Sequence, residues 1–333
     1  VSGISGKRGT IAFAVQSAKG VAATAPTHRY CLSGDPTLGP VKNRGRYSMT
    51  DSSQDRGPAY TSLMAVEGDV PVYLHPQGVG LLFGAVLGSN ADSGAGPDYT
   101  HEQTPAEDML WLTAWREIGG VIFEKFVDVK IGNLQIEGDA GNPWTMTASV
   151  IGCEASFLDA GAERTALLDL DPFDDAGYLY PEAENRIKLA TVAEKIHRLS
   201  IGINRNASGY QSDGYGYDDV DPGEREITLS FATRFQSGAI GADEYRTFFY
   251  GSAAGTALDP AVGTQAFEVE IVRDASTSLK IELPQVTYAG VPVNASPGGE
   301  PIEVEVACEV EKPTDGSPIV TVTVKDQKSS INV

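Results

Sequence analysis

Short runs in which apolar and polar residues alternate recur along most of the chain, the pattern of strands with one buried face. At residues 302–310, Ile302, Val304, Val306 and Cys308 alternate with Glu303, Glu305 and Glu309. Residues 226–235 set Ile227, Leu229 and Phe231 against Thr228, Ser230 and Ala232. Residues 144–153 set Met146, Ala148 and Val150 against Thr145, Thr147 and Ser149. Further strands are predicted at 28–32, 69–75, 110–117, 126–136, 197–203, 266–272, 278–288 and 318–325. Two short stretches break this period. Val79, Leu82, Phe83 and Val86 are spaced for a helix over 77–87, and Asp243 stands near the start of a second one over 243–250.

In order, these elements repeat: strand, long polar segment, strand, short helix, then three strands. The order recurs at an offset of roughly 150 to 165 residues, which reads as an internal duplication. Residues 1–26, rich in Gly, Ser and Ala, read as an N-terminal arm with one short strand at 10–15. Residues 27–154 form the first unit, and 155–194 a connector that becomes helical over 182–194. Residues 195–312 form the second unit, and 313–333 a terminal strand free to join its own sheet or a neighbour's edge. A chain of 333 residues suits two such units. The 37 glycines and 19 prolines fit its many turns.

Charge narrows the function. A formal net charge of −20 and a pI near 4.5 argue against gripping nucleic acid or an anionic membrane, which needs a dense basic patch. Lys42, Arg44 and Arg46 are the nearest approach to one. The acidity suits either an ordinary self-repelling surface or one that faces nucleic acid without binding it. No stretch of 18 apolar residues occurs. Residues 1–20 lack a signal-peptide core, so synthesis in the cytoplasm is expected.

Catalytic chemistry finds little to rest on. Cys31, Cys153 and Cys308 are odd in number, lack CxxC spacing and read as free thiols in or beside strands. No HExxH, Walker A or GxSxG pattern is present. The acidic loop 213–224 lacks the EF-hand order of ligands, and nothing sets two carboxylates at glycosidase spacing. No enzyme activity, cofactor or metal is expected. Trp111, Trp115 and Trp144 fall in strand-like runs and read as core rather than as sugar-binding platforms.

Four segments resemble the tail tube proteins of long-tailed bacteriophages, in particular the larger ones of phages of actinobacteria. They are Gly9-Thr10-Ile11-Ala12-Phe13-Ala14-Val15-Gln16, the strand and apolar helix of 68–88, the segment 195–205 with its long loop, and the paired strands of 279–310. The resemblance implies a mainly β fold. Two tandem β-sandwich or rolled-sheet units, each with a short helix, would add strands to a β-barrel shared between subunits. It also implies a virion protein that assembles into stacked rings and conducts DNA during ejection without reading its sequence. With two units per chain, three chains would close a pseudo-sixfold ring; with one, six chains would. The implied partners are further copies, the tape measure protein, the tail terminator and distal tail proteins.

On this reading Asp128, Thr145, Thr147, Ser149, Glu303, Glu305 and Glu309 are candidates to line the channel. The long polar segments 42–67 and 204–223 stand at matching places in the two units and are expected to reach the next ring. Their candidate contacts are Arg44, Arg46, Asp51, Asp55, Arg56, Tyr210, Asp213, Tyr215, Tyr217, Asp218 and Asp219. The competing readings are a tail terminator or capsid decoration protein, which would not form filaments, and a secreted carbohydrate-binding or adhesion module.

Overall fold

The computed structural model describes residues 9–47, 58–96, 98–158, 161–170, 187–189, 192–193, 196–234, 242–260, 263–293, 302–326 and 328–330. The fold is mainly β. Strands β1 (Gly9–Val15), β2 (His28–Arg29), β3 (Gly39–Arg46) and β4 (Ala59–Tyr73) precede helix α1 (Pro76–Leu87). Then follow β5 (Ala91–Ala95), β6 (Asp98–Gln103), β7 (Leu112–Ile118), β8 (Ile122–Asp139), β9 (Thr145–Phe157) and helix α2 (Ala162–Asp169). The second half holds β10 (Ile187–Leu189), β11 (Val192–Ala193), β12 (Ile196–Asn204), β13 (Ser208–Tyr210), β14 (Asp219–Asp221) and β15 (Glu226–Arg234). Helix α3 (Ala242–Tyr250) leads to β16 (Thr264–Asp274), β17 (Thr277–Gly290), β18 (Glu303–Val310) and β19 (Thr321–Asp326).

All strands but β13 and β14 belong to one antiparallel sheet. In the first half the ladder runs β1, β7, β8, β9, β4, β3. In the second it runs β10, β16, β17, β18, β15, β12. Two seams join the halves: the C-terminal part of β8 pairs with β12, and β6 pairs with β19. Among the described residues the sheet does not close on itself within the chain.

Burial explains both helices. Helix α1 is apolar all round, so it can only exist inside. Val79, Leu81, Leu82, Phe83, Val86 and Leu87 are all buried, and the helix packs against β8, β6 and β19. The Tyr30 hydroxyl donates to the Gly78 carbonyl at 3.0 Å and fixes its first turn. Helix α3 is amphipathic and lays Tyr245 and Phe248 on the core.

The short strand expected at 10–15 is present as β1, which pairs along its whole length with β7 and buries Ile11 to Phe13 fully. Several expectations are corrected. The segment 42–67 is not a loop but the two arms of the β3–β4 hairpin. Both faces of its outer part meet solvent, so no alternation marks it. The stretch after α1 forms the β5–β6 hairpin, with Gly94 at φ 95° within β5, opposite Tyr99. The helix expected over 182–194 is replaced at 187–189 and 192–193 by β10 and β11. Ile187 and Leu189 bury themselves against β16, while Lys188 pairs with Glu268 at 2.6 Å. Residues 182–186 lie outside the described residues. The terminal strand β19 joins β17 and β6 of its own chain.

Candidate functional site

Six neighbouring strands, β4, β9, β8, β12, β15 and β18, run across both halves. Residues directly opposite one another share a face, so each rung can be followed from strand to strand. One rung reads Val72, Met146, Ile136, Ile201, Leu229, Cys308, and every member is buried. The next rung, on the opposite face, reads Pro71, Thr147, Gln135, Gly202, Thr228, Glu309. Two rungs further along, the same outer face reads Tyr73, Thr145, Glu137, Ser200, Ser230, Ala307. The sheet therefore has one continuous apolar side, which holds the core, and an opposite side dominated by small polar and acidic residues, with Arg198 and Arg234 paired across it with Asp139 and Glu303.

Hydrogen bonds tie the polar side together. Gln135 Nε2 donates to Ser200 Oγ at 2.6 Å across the β8–β12 seam, and Ser149 Oγ donates to Asp69 Oδ1 at 2.7 Å. Gly202 lies between Gln135 and Thr228; a Cβ there would meet Thr228 Oγ1 at 2.6 Å and Gln135 Oε1 at 2.9 Å. At the rim Arg198 meets Asp139 at 3.3 Å, and His197 meets Glu303 at 3.6 Å.

Thr145, Thr147 and Ser149 lie half-buried on this polar face, and Glu303, Glu305 and Glu309 are exposed on it. Asp128 does not join them. It occupies the bulge of β8 with φ 55°, is buried, and accepts the Gly20 N–H at 2.7 Å. Its carboxylate anchors the segment after β1.

Of the expected loop residues, Arg44 and Arg46 are exposed on β3, whereas Asp51, Asp55 and Arg56 lie outside the described residues. The loop between β12 and β15 folds down on the first half. Tyr217 donates to Glu67 at 2.8 Å, and Gln211 to the Ser62 carbonyl at 3.1 Å. Burial and the Glu67 carboxylate push the Tyr217 hydroxyl up to about 12. Asp219 pairs with Lys19 at 2.7 Å. Burial opposes its ionisation, but bonds from Lys19 and from the Val220 N–H outweigh that and hold the carboxyl below its ordinary range. Asp218 is tied back to the Ser212 N–H at 2.6 Å. Tyr210, Asp213 and Tyr215 remain exposed at the tip.

Sequence reasoning missed what receives this loop. Lys130 Nζ donates to the Val220 carbonyl at 2.7 Å and lies 4.0 Å from the centre of the Trp111 ring. It also missed His101, which lies fully buried between Asp92 at 2.7 Å and Asp326 at 2.9 Å and so ties β6 to β19. A lysine and a histidine inside strands carry no local mark of such partners. None of the three cysteines is in a disulfide, and Cys308 is buried.

Among the described residues no helix is long and apolar enough to cross a membrane. No curated protein matches the chain. A family described as phage tail tube protein matches residues 6–311, nearly the whole chain. With that match spanning both ladders and the sheet face they share, the chain belongs to the phage tail tube protein family.

Proposed function

We propose that this chain is the repeating subunit of a hollow phage tail tube, assembling into stacked rings that let DNA pass during ejection. The observation that carries the reading is the six-stranded face with an apolar core side and an opposite polar side. A sheet of this kind that is open within the chain is completed by pairing with further copies, which removes its edges. Thr145, Thr147, Ser149, Glu303 and Glu305 then face the channel, with Glu309 at the end of the same face. Hydroxyls, amides and carboxylates predominate there, and the two arginines of that face, Arg198 and Arg234, stand opposite Asp139 and Glu303, so DNA phosphates meet no basic patch and the duplex slides past.

The chain holds two copies of one tube unit, and three chains close a pseudo-sixfold ring. The support is a shared irregularity. In the first half the β7–β8 register shifts between the pairs Ala114↔Phe126 and Leu112↔Val129, and the β8–β9 register shifts between Ile131 and Asn133. In the second half the same two shifts fall between Leu283 and Val286, and between Tyr288 and Gly290. Bulges at matching places in two ladders of the same order are hard to obtain except by duplication. On this correspondence Thr145 and Thr147 stand where Glu303 and Glu305 stand.

Stacking of rings is assigned to the projecting β3–β4 hairpin and to the exposed tip at Tyr210, Asp213 and Tyr215. The tape measure protein, terminator and distal tail proteins are the expected partners in the virion. Negative-stain electron microscopy of the purified chain tests the reading: rings and hollow filaments of even width are expected, with three chains per ring. Deleting residues 211–219 is expected to leave folded rings that no longer stack. Filaments that still grow from the deletion variant would remove the loop from that role. Single rings from the intact chain would favour a terminator instead.

A further inference from the structure

We infer that the contact between neighbouring chains in a ring copies the seam inside each chain with its charges reversed, the basic β3–β4 hairpin seating on an acidic patch beside β18. The inference rests on the tube reading above and deepens it by naming the two surfaces.

The internal seam is the template. The loop of residues 205–225 leaves the ladder just after the pair Ile203↔Ile227, crosses the seam and lies on the first half. It holds four aspartates, Asp213, Asp218, Asp219 and Asp221, and no lysine or arginine between Asn206 and Gly223. It lands on cations, Lys19 and Lys130.

The hairpin leaves the first ladder at the corresponding place, just after Pro40↔Val66. Its β4 arm receives the loop of its own chain at the Ser62 carbonyl, the Met64 N–H and Glu67, while its β3 arm is turned to solvent. Strand β3 carries Lys42, Arg44 and Arg46 and no acid, and all three bases are exposed. Large apolar side chains are exposed beside them: Tyr47 is 56% accessible, Met64 45% and Tyr60 42%. An exposed mix of bases and aromatics is the composition of a contact surface.

The matching receiver on the second half follows from the register. Lys130 lies between Val129 and Ile131, and its counterpart between Val286 and Tyr288 is Thr287. Cys153 follows Gly152, the partner of Val129; Glu311 follows Val310, the partner of Val286. Thr287 Oγ1 donates to Glu311 at 3.1 Å, and Gln285 Nε2 donates to its other oxygen at 3.1 Å. Glu309 is exposed beside it. Where the first half offers lysines to an acidic loop, the second half offers held glutamates to a basic hairpin.

This inversion gives the ring its order. A hairpin aimed at the lysine-bearing receiver, or an acidic loop aimed at the glutamates, meets like charge, which costs several kcal/mol. Second halves therefore join only to first halves of the next copy, and the two units alternate around the ring.

The test uses three full-length variants: Lys42→Glu with Arg44→Glu, Glu309→Lys with Glu311→Lys, and all four together. Circular dichroism and melting check the fold, and sedimentation velocity with electron microscopy reads assembly. Each two-site reversal is expected to keep the fold and lose rings, raising the concentration needed for association by about tenfold or more. The four-site variant is expected to regain rings and to exclude the wild-type chain from them. The hairpin residues are exposed, so that reversal decides the matter even if Glu311→Lys disturbs β18. Wild-type assembly by the folded hairpin variant, or no rescue by a folded four-site variant, overturns the seam while leaving the tube reading intact. An unaltered chain that never forms rings at any concentration overturns both.

Discussion

Helices α1 and α3 follow β4 and β15, strands that stand fifth in their respective ladders, yet they are built on different terms. Helix α1 has core on every side because the β5–β6 hairpin and β19 close over it, and His101 fastens that cover from within. Among its described residues helix α3 has none that is fully buried, and Arg246 is exposed to solvent. The same ladder thus tolerates a fully enclosed helix and a half-wet one. Ladder order is carried by strand pairing, while the stability of each half depends on what lies over the sheet.

The largest effect should come from the enclosed helix. Phe83→Ala is expected to cost about 3–5 kcal/mol, because the surroundings cannot collapse into the space, whereas Phe248→Ala in α3 should cost about 1 kcal/mol. Urea unfolding of both variants checks this, and equal losses would break the comparison.

Next comes the clamp. His101→Ala removes the side chain that bonds the buried Asp326 carboxylate and is expected to cost about 3 kcal/mol. Its pH dependence has a definite sign. Burial lowers the His101 pKa, but the bonds to Asp326 and Asp92 outweigh burial and leave it raised. The stabilisation is therefore complete below the unfolded value of about 6.5 and is lost as pH rises through the higher folded value. His28 behaves oppositely. Burial, with Lys328 and His101 nearby, pushes it down to about 3. Its contribution is present above about pH 6.5 and drains away as pH falls toward the folded value. Melting temperature against pH should lose its alkaline decline in His101→Ala and soften its acid decline in His28→Gln.

A smaller effect is expected where the second half leans on the first. Lys130→Met removes the bond to the Val220 carbonyl and the cation over Trp111, a loss of about 1–2 kcal/mol. Limited proteolysis between Tyr210 and Asp219 should quicken. Lys19→Ala removes a half-exposed ion pair and should cost about 0.5 kcal/mol or less, fading with added salt. If both variants loosen the loop equally, the aromatic seat of Lys130 contributes nothing.

How legible the molecule was in its sequence follows from where each side chain ends up. Strands β15 and β18 alternate cleanly because one face meets the core and one meets water. Helix α1 showed through the spacing of Val79, Leu82, Phe83 and Val86. The outer β3–β4 arm and β5 escaped because solvent touches both faces, so Arg44, Gly45, Ser93 and Gly94 are as welcome as any apolar residue. The candidate wall residues Thr147 and Glu305 were visible as polar partners of buried ones. Their union on one face was not, because it depends on the β8–β12 register, and pairings between distant strands leave no local signature. Asp128 looked like its neighbours in the alternation, but a bulge turns it inward, and a bulge is set by the whole ladder.

The β8–β12 seam has a kinetic meaning as well. It forms during folding of a single chain, where the two edges are held at the high effective concentration that covalent linkage supplies. On the proposed ring of three chains, assembly would then have to capture fewer separate bodies, and each capture it avoids would spare the loss of one partner's translational and rotational freedom. Half of every ring would thus arrive already closed, and nucleation would depend less steeply on how much protein the cell has made.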